Sequence, residues 1–378
     1  MKKNNRCSRF QLSALVIVGL FNSLEAAALN YTITDIGTGG GLISAQDLNN
    51  SGQVVGKTLE STGLHAYLWT NGIMQTLNIP SSGEGINNSG QIVGALYPSG
   101  QPYHGFVSTN GVIQDLGAFD SNYTYTAAYG INDIGQVVGH MSPQSGYSRA
   151  FVWSNGVMQD IGTLGGPESY AYRINNSGQI IGWSTTGGPN PNGFLYSNRA
   201  MTNLGALDSS LNYSVAQGIN EAGQVVGGSR IAGGWLHAFA WSNGAMQDLG
   251  TLGNGCVNES YAFDNNNLGQ VVGSWKRWNC LGGGSYSSGI GDGGGFVYDN
   301  GVMYDLNSLV SANSGWLLGE ARGINDLGQI VGTGTLNGVG HAYLLTPTSV
   351  VPLPAAFWLF GSGLLGMFGF MRRVGRHS

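Results

Sequence analysis

The stretch Asn132-Asp133-Ile134-Gly135-Gln136-Val137-Val138-Gly139 decides the fold, because variants of it occur seven times along the chain. Each copy reads Asn-x-x-Gly-Gln-(Val/Ile)-(Val/Ile)-Gly, and the copies are Asn49–Gly56, Asn87–Gly94, Asn132–Gly139, Asn175–Gly182, Asn220–Gly227, Asn266–Gly273 and Asn325–Gly332. Repeats of roughly 40–45 residues with a hydrophobic period of two are typical of stacked β-units. The sequence therefore predicts either the blades of a propeller or the coils of a solenoid.

One repeat predicts four strands, A to D, which in the third copy are Ala127–Asn132, Gln136–His140, Ala150–Trp153 and Val157–Ile161. The A–B turn ends in Gly135, as a type I turn followed by a left-handed glycine requires. The C–D connection is Asn155-Gly156, a strong signal for a two-residue hairpin. The fourth copy has Asn198-Arg199 there, and because a positive φ strains arginine we expect a different turn.

The ends of the repeat array favour a closed ring. The seventh copy runs through strand C at His341–Leu345 but has no strand D, whereas Ile33–Gly37 near the N-terminus matches the strand D pattern of Met158–Gly162. Pairing these segments would remove an unpaired edge, while a solenoid would leave both terminal repeats incomplete. We therefore predict an all-β, seven-bladed β-propeller over residues 29–346 that is closed by the N-terminal strand.

The composition argues against disorder and against nucleic-acid binding. The chain contains 9 Trp, 17 Tyr and 13 Phe, many of them in register with the repeat, whereas disordered chains lack aromatic residues. The stretch from Leu29 to Pro354 has 8 basic and 19 acidic residues. A basic patch that could release phosphate counterions is not expected, so we predict no nucleic-acid partner.

The N-terminus predicts export. Lys2, Lys3, Arg6 and Arg9 precede the apolar run Phe10–Phe21, and three alanines offer a small-residue cleavage site before Leu29. This order is typical of a secretory signal peptide, here residues 1–28. A membrane anchor is the alternative, although the run is shorter than the roughly 20 residues that a membrane span needs.

The C-terminus, residues 347–378, carries a second targeting pattern. Val351-Pro352-Leu353-Pro354 leads into Ala355–Met371, 17 mostly apolar residues, and then into Arg372, Arg373 and Arg376. Seventeen residues of helix extend roughly 25 Å, a marginal transmembrane helix whose arginines would stay on the cytoplasmic side. Val351–Arg376 resembles the PEP-CTERM sorting signals of exopolysaccharide-producing Gram-negative bacteria. The resemblance implies processing by an exosortase, a membrane transpeptidase that cleaves near the proline motif; a plain C-terminal anchor is the alternative.

The repeats themselves resemble the HAF family of bacterial extracellular repeats, named for His-Ala-Phe as in His237-Ala238-Phe239. The resemblance covers nearly all of Tyr31–Leu345 and implies a location outside the cell rather than a chemistry. Asn192-Gly193-Phe194 departs from the pattern, so the histidine is dispensable to the fold.

The repeated polar residues give little support to catalysis. Four histidines share one repeat position and four aspartates share another: His65, His104, His237 and His341, and Asp115, Asp160, Asp248 and Asp305. Because the scaffold repeats these residues, we interpret them as packing or bonding the backbone. The Asn-rich and Asp-rich A–B turns offer too few spaced carboxylates for calcium, and turn chemistry alone accounts for them. We expect no metal and no cofactor.

The sixth copy departs most from the repeat. Its predicted B–C loop, Ser274–Gly293, holds the candidate binding residues Trp275, Lys276, Arg277, Trp278 and Tyr286. Exposed aromatics beside cations suit stacking on sugar rings or docking to a protein; the alternative is a loop that folds its aromatics onto its own blade. Cys256 and Cys280 remain after signal removal, and an even pair in an exported chain favours a disulfide.

These features predict a non-enzymatic binding or matrix protein, extracellular or at the cell surface and membrane-anchored before processing. Its expected partner is extracellular polysaccharide or a surface protein. Two alternatives stay open. One is a propeller-type glycan hydrolase or lyase, which would need carboxylates unique to single blades; the sequence nominates none. The other is a structural repeat protein without a specific ligand.

Overall fold

The computed structural model describes residues 29–37, 43–188, 190–253, 257–278 and 293–348. Within these ranges the chain forms 28 strands and a short 3-10 turn at Leu306–Ser308. The strands form seven antiparallel four-stranded sheets. The prediction of an all-β, seven-bladed β-propeller is confirmed.

Each blade contains strands A to D in the order in which they are hydrogen-bonded. Blades 1 and 2 are β2 (Ile43–Leu48), β3 (Val54–Glu60), β4 (Gly63–Thr70) and β5 (Ile73–Thr76), then β6 (Ser81–Ile86), β7 (Ile92–Leu96), β8 (His104–Thr109) and β9 (Val112–Asp115). Blades 3 and 4 are β10 (Tyr125–Ile131), β11 (Val137–Ser142), β12 (Arg149–Ser154) and β13 (Val157–Asp160), then β14 (Ser169–Ile174), β15 (Ile180–Thr185), β16 (Pro191–Ser197) and β17 (Ala200–Asn203).

The remaining blades follow the same order, with one change of origin. Blades 5 and 6 are β18 (Ser214–Ile219), β19 (Val225–Arg230), β20 (Leu236–Ser242) and β21 (Ala245–Gly250), then β22 (Val257–Asn265), β23 (Val271–Trp278), β24 (Gly293–Asp299) and β25 (Val302–Asp305). Blade 7 contains β26 (Trp316–Ile324), β27 (Ile330–Leu336) and β28 (Val339–Pro347), and its fourth strand is β1 (Tyr31–Gly37). β1 pairs with β28 in antiparallel register, from Tyr31 opposite Pro347 to Gly37 opposite Ala342.

The predicted signal peptide and sorting signal lie outside the described residues, as do Cys256, Cys280 and Tyr286. In the part of the chain that the structure describes, no helix is long and apolar enough to cross a membrane.

The repeated asparagine joins each blade to the next. Asn175 Oδ1 accepts hydrogen bonds from the backbone N–H groups of Ser177 and Gln179, at 3.1 and 3.0 Å. Its Nδ2 donates to Gln179 Oε1 at 2.8 Å and, across the blade boundary, to the backbone oxygen of Asn220 at 3.1 Å. The inter-blade bond recurs at all seven boundaries, and the last runs from Asn325 Nδ2 to the backbone oxygen of Asn49 at 3.0 Å.

The final glycine of the motif has a steric cause. In blade 3, a Cβ on Gly139 would lie 1.9 Å from the backbone oxygen of Ala127, at the place where strand A carries a bulge. The fully buried Phe151 lies directly opposite Gly139 on strand C. The aromatic residue of the His-Ala-Phe pattern therefore packs into the blade core beside a backbone that tolerates only glycine.

The C–D turns include one departure from expectation. Asn155 and Gly156 have φ of 52° and 85°, as the two-residue hairpin prediction requires. Asn198 and Arg199 have φ of 52° and 64°, so the prediction of a different turn in blade 4 was wrong. Strand pairing on both sides of that turn matches the other blades, so the sheet imposes the turn and Arg199 bears the strain.

The repeated histidines and aspartates mostly bond one another across strands C and D. His104 Nδ1 lies 3.1 Å from Asp115 Oδ2, and His237 Nδ1 lies 2.9 Å from Asp248 Oδ2. His341 forms the corresponding pair with Asp35 of β1 at 2.9 Å, whereas His65 Nδ1 lies 2.7 Å from the backbone oxygen of Leu77. These contacts support a structural role for the histidines, and for three of the four the partner is a carboxylate rather than the backbone.

Candidate functional site

The channel of the propeller has two different ends. Strand A of each blade contacts strand A of its neighbours, and β2 contacts β26, so the seven A strands surround the channel. The A–B and C–D turns lie on one face, here called the turn face. The B–C and D–A loops lie on the opposite face, here called the loop face.

The turn-face end is a belt of hydrogen bonds. The second residue of each A–B turn forms the belt: Asn50, Asn88, Asp133, Asn176, Glu221, Asn267 and Asp326. The backbone N–H of each donates to the side-chain oxygen of the next, and the circle ends with Asp326 donating to Asn50 Oδ1 at 3.0 Å. These carboxylates thus hold neighbouring blades together, and no group of three or more metal-ligand side chains occurs among the described residues.

Three charged side chains lie inside the channel, two residues before the repeated asparagine. Asp47, Arg173 and Asp264 occupy this position in blades 1, 4 and 6, where the other blades have glycine. Arg173 Nη2 lies 3.9 Å from Asp47 Oδ2. Burial raises the pKa of Asp264 to about 7, with the charge of Asp47 adding to the effect, and burial also raises the pKa of Asp47 against the opposing effect of Arg173.

The channel carboxylates have structural partners. Asp47 Oδ2 accepts from the backbone N–H of Ile86 in blade 2 at 3.1 Å, and Asp264 Oδ2 accepts from that of Ile324 in blade 7 at 3.0 Å. The cavity that they line has a volume of about 160 Å³, below the roughly 300–1,000 Å³ of small-molecule pockets. The carboxylates therefore tie blades together in a space too small for a saccharide.

The loop-face end is where the blades differ. Three residues before the repeated asparagine, the seven blades carry five kinds of side chain: Gln46, Glu84, Tyr129, Tyr172, Gln217, Phe263 and Arg322. Neighbouring blades contact each other through them. The rings of Tyr129 and Tyr172 are 5.5 Å apart, and the Arg322 guanidinium lies 4.2 Å above the Phe263 ring. This position has no structural requirement for one residue type, so it is free to carry a function.

A continuous set of rings occupies one sector of this end, across blades 2, 3 and 4. This aromatic array consists of Tyr97, Tyr103, Tyr125, Tyr129, His140, Tyr170, Tyr172 and Trp183. Ring centroids are 4.9 Å apart for Tyr103 and Tyr125, and 4.6 Å apart for His140 and Tyr170. Tyr170 and Trp183 are stacked, with centroids 4.7 Å apart and planes inclined by 17°.

Hydrogen bonds fix the orientation of these rings. Trp183 Nε1 donates to the Tyr172 hydroxyl at 2.9 Å, and the Tyr170 hydroxyl donates to Ser148 Oγ at 2.9 Å. Tyr97, which is 41% exposed, shares a hydrogen bond of 3.1 Å with Ser82 Oγ through its hydroxyl. Most of the array is half-buried, so it presents rigid ring edges and faces at the surface.

The array is uncharged at neutral pH. Burial lowers the pKa of His140 to about 4, and burial raises the pKa of Tyr129 far above its usual range. His140 is 6% exposed, and among the described residues its Nδ1 has no hydrogen-bond partner. The imidazole therefore acts as a neutral ring that fills the space between its tyrosine neighbours.

The residues proposed from the sequence as a binding loop have a different setting. Trp275, Lys276, Arg277 and Trp278 belong to strand β23, not to a loop that starts at Ser274, because β23 continues to pair with the long strand β22. Trp275 is half-buried and packs against the apolar cluster between blades 5 and 6. The side chain of Trp278 lies outside the described part of the structure, and ligand binding by these residues stays a prediction.

The sequence did not predict the aromatic array, because its members come from three blades and lie far apart in the chain. A usable signal existed at fixed repeat positions. Where one copy has Tyr129 another has Gln217, and His140 in blade 3 corresponds to Gly228 in blade 5. The positions that vary between aligned copies of the repeat include these residues at the loop-face end of the channel.

Comparisons with known proteins show the fold and no family. No protein-family model matches the chain, and no curated protein matches it significantly. Among solved structures, the oligogalacturonate lyase of Vibrio parahaemolyticus is 12% identical, with a TM-score of 0.51 over 85% of this chain and 98% of that one. An oligogalacturonate lyase in complex with manganese is 11% identical, with the same TM-score of 0.51 over 87% and 98%. TolB from Acinetobacter baumannii is 12% identical with a TM-score of 0.44; the match covers 83% of this chain and 65% of that one, just under two thirds of its length.

Proposed function

We propose that the protein is an exported, non-enzymatic glycan-binding protein of the cell envelope, and that the aromatic array is its binding surface. The observation that carries the proposal is the cluster of fixed rings on the loop face, at positions where the repeat requires no particular residue. Tyrosine and tryptophan combine an apolar ring with a polar atom, which suits sugars with their apolar faces and hydroxyl rims.

The alternative of a structural protein without ligand accounts less well for the array. The contacts that build the blades repeat in every copy, as the asparagine bonds between blades do. A purely structural role would predict that the loop-face contacts also repeat in every copy. Rings concentrated in blades 2 to 4 instead distinguish one sector of the propeller, as a binding site does.

The alternative of a glycan hydrolase or lyase has one observation in its favour, the pair of channel carboxylates Asp47 and Asp264. Both already accept hydrogen bonds from neighbouring blades. General acid and base catalysis also needs a substrate within hydrogen-bonding distance of the carboxylates, and the cavity is too small to admit a glycan. We therefore favour binding without turnover.

The sequence supports export and sorting. We propose that residues 1–28 are removed as a signal peptide and that an exosortase cleaves near Pro352 and Pro354. Strand β28 ends at Pro347 on the turn face, where Gln329 Nε2 donates to Thr346 Oγ1 at 3.4 Å. A tether that leaves from this face would point the aromatic array away from the membrane. Mass spectrometry of the extracellular form should find no peptide beyond about Pro354; recovery of Arg372–Ser378 would contradict processing.

The binding proposal is tested with purified protein spanning residues 29–346. A glycan array identifies ligands, and turnover is then assayed on each of them. Tyr97→Ala with Tyr103→Ala should weaken binding by on the order of 1–3 kcal/mol, because truncating aromatic anchors costs this much at binding surfaces. Trp235→Ala is the matched control, since Trp235 is a 37% exposed aromatic on a loop of blade 5, outside the array.

Two results would contradict the proposal. One is equal affinity of the Tyr97→Ala, Tyr103→Ala variant and the parent for every glycan found. The other is a loss of affinity in the Trp235→Ala control as large as in the array variant. Thermal melting of all three proteins separates lost contacts from lost folding, because Tyr97 is exposed and its truncation should change stability little.

A further inference from the structure

Seven of the eight basic residues of the folded chain already have partners, and the eighth, Arg199, lies away from the aromatic array. Between Leu29 and Pro354 there are 8 basic and 19 acidic residues, and all eight basic ones lie in described ranges. Four form ion pairs: Lys57 with Glu84, Arg149 with Asp160, Arg173 with Asp47, and Arg322 with Glu320. Arg230 lies 4.6 Å over the ring of Tyr213, Lys276 and Arg277 also have partners, and Arg199 lies in a C–D turn on the opposite face.

The surroundings of the aromatic array disfavour anions. Glu84 occupies in blade 2 the strand A position that Tyr129 occupies in blade 3, and Glu168 lies two residues before Tyr170. Glu84 holds Lys57 at 3.2 Å, so that cation is not free to receive a carboxylate from a ligand. His140, at the centre of the array, is neutral because burial lowers its pKa to about 4. A uronic acid on these rings would be desolvated without a partner of opposite charge, which is costly.

From these observations we infer that the aromatic array takes uncharged glycans and excludes acidic ones. This inference rests on the proposed function and specifies its ligand class. Stacking on rings needs no charge in the sugar, and hydroxyl groups of the ligand can bond the tyrosine hydroxyls and loop backbone. The negative field of the whole chain acts in the same direction, since it repels polyanions before contact.

The test is calorimetric titration of residues 29–346 with neutral probes, glucan and mannan hexasaccharides, and with hexagalacturonate as the acidic probe. A neutral probe should bind, and its affinity should change by less than about twofold between about 20 mM and about 200 mM sodium chloride, because no charge is screened. Tyr97→Ala should weaken that binding about tenfold, as for a binding anchor. Hexagalacturonate should show no binding heat at either salt concentration.

A variant with an added cation tests the charge argument itself. Gln101 is exposed on the β7–β8 loop between Tyr97 and Tyr103, and Gln101→Lys adds one positive charge beside the array. It should give hexagalacturonate measurable, salt-sensitive binding and leave the neutral probe unaffected. If the added charge gives no gain, charge is not the basis of selectivity.

The outcomes separate the two claims. Tighter binding of hexagalacturonate than of the neutral probes by the parent, lost in Tyr97→Ala, would overturn the inference and leave the proposed function standing. Binding of neither class would overturn the proposed function as well. If the double variant Tyr97→Ala, Tyr103→Ala still binds a neutral probe as the parent does, the array is not the binding surface. That result would contradict both the proposed function and the inference about ligand charge.

Discussion

Removing the asparagine that joins blade 7 to blade 1 should cost as much as removing one between two internal blades. Asn325 Nδ2 donates to the backbone oxygen of Asn49 at 3.0 Å and to Gln329 Oε1 at 2.8 Å. Its Oδ1 accepts from the N–H groups of Leu327 at 3.1 Å and Gln329 at 2.9 Å. Asn175 makes the same four bonds at the internal boundary between blades 4 and 5.

The magnitude follows from the number of bonds. Both asparagines are buried, so alanine leaves their partners without hydrogen bonds. Four bonds at about 1 kcal/mol each give a loss of about 4 kcal/mol in the free energy of unfolding for either variant. If the blades formed an open row rather than a closed ring, Asn325→Ala would lower the free energy of unfolding by less, because the bond to Asn49 would not exist.

Urea unfolding of Asn325→Ala and Asn175→Ala, followed by tryptophan fluorescence, measures the two losses under the same conditions. Equal losses, within about 0.5 kcal/mol, are expected for a closed ring. A loss in Asn325→Ala that is smaller by 1 kcal/mol or more, on the order of one hydrogen bond, would refute the reasoning.

The remaining predictions concern strain, charge and the terminal strand. Arg199→Gly should stabilise the protein by on the order of 1 kcal/mol, because glycine adopts the positive φ of 64° without strain; an unchanged melting temperature would show that the turn is not strained. Because burial raises the pKa of Asp264 to about 7, the folded protein retains a proton there that the unfolded chain has released, so this group makes stability fall as pH rises from about 4 to about 7. Asp264→Asn should flatten that fall and raise stability above pH 7, whereas Glu60→Gln at the exposed end of β3 should not; a parent-like pH profile in Asp264→Asn would contradict the assignment. Deleting Tyr31–Gly37 leaves β28 with an unpaired edge and should cause aggregation or loss of cooperative unfolding, and a deletion variant that unfolds like the parent would argue against β1 as a necessary strand.

The sequence was sufficient for the fold because the repeat carries its own geometry. Gly135 at φ of 79° and the Asn155-Gly156 hairpin were readable as turns, since few other residues tolerate those conformations. The role of Asn132 between blades was not readable, because its partner, the backbone oxygen of Asn175, belongs to another copy. Such an asparagine bonds both its own A–B turn and the backbone of the next blade, but the sequence alone indicates only the role in the turn.

The errors came from places where the sheet overrides local preference. Arg199 adopts a left-handed conformation because the strands on either side fix the turn. β23 extends to Trp278 because β22 supplies partners as far as Val257, although nothing in the short motif marks that extension. The aromatic array depends on which positions of different blades meet, and that is known only once the blades are arranged around the channel.

The central claim, a glycan site on the aromatic array, is tested most directly by mapping where a bound oligosaccharide protects the protein. Hydrogen–deuterium exchange of residues 29–346, with and without a saturating glycan hit, reports protection along the backbone. The account predicts slower exchange in the loops of blades 2 to 4, at residues 97–103, 141–149 and 161–170, and unchanged exchange at the turn face. Protection confined to blades 5 to 7 or to the A–B turns would contradict it.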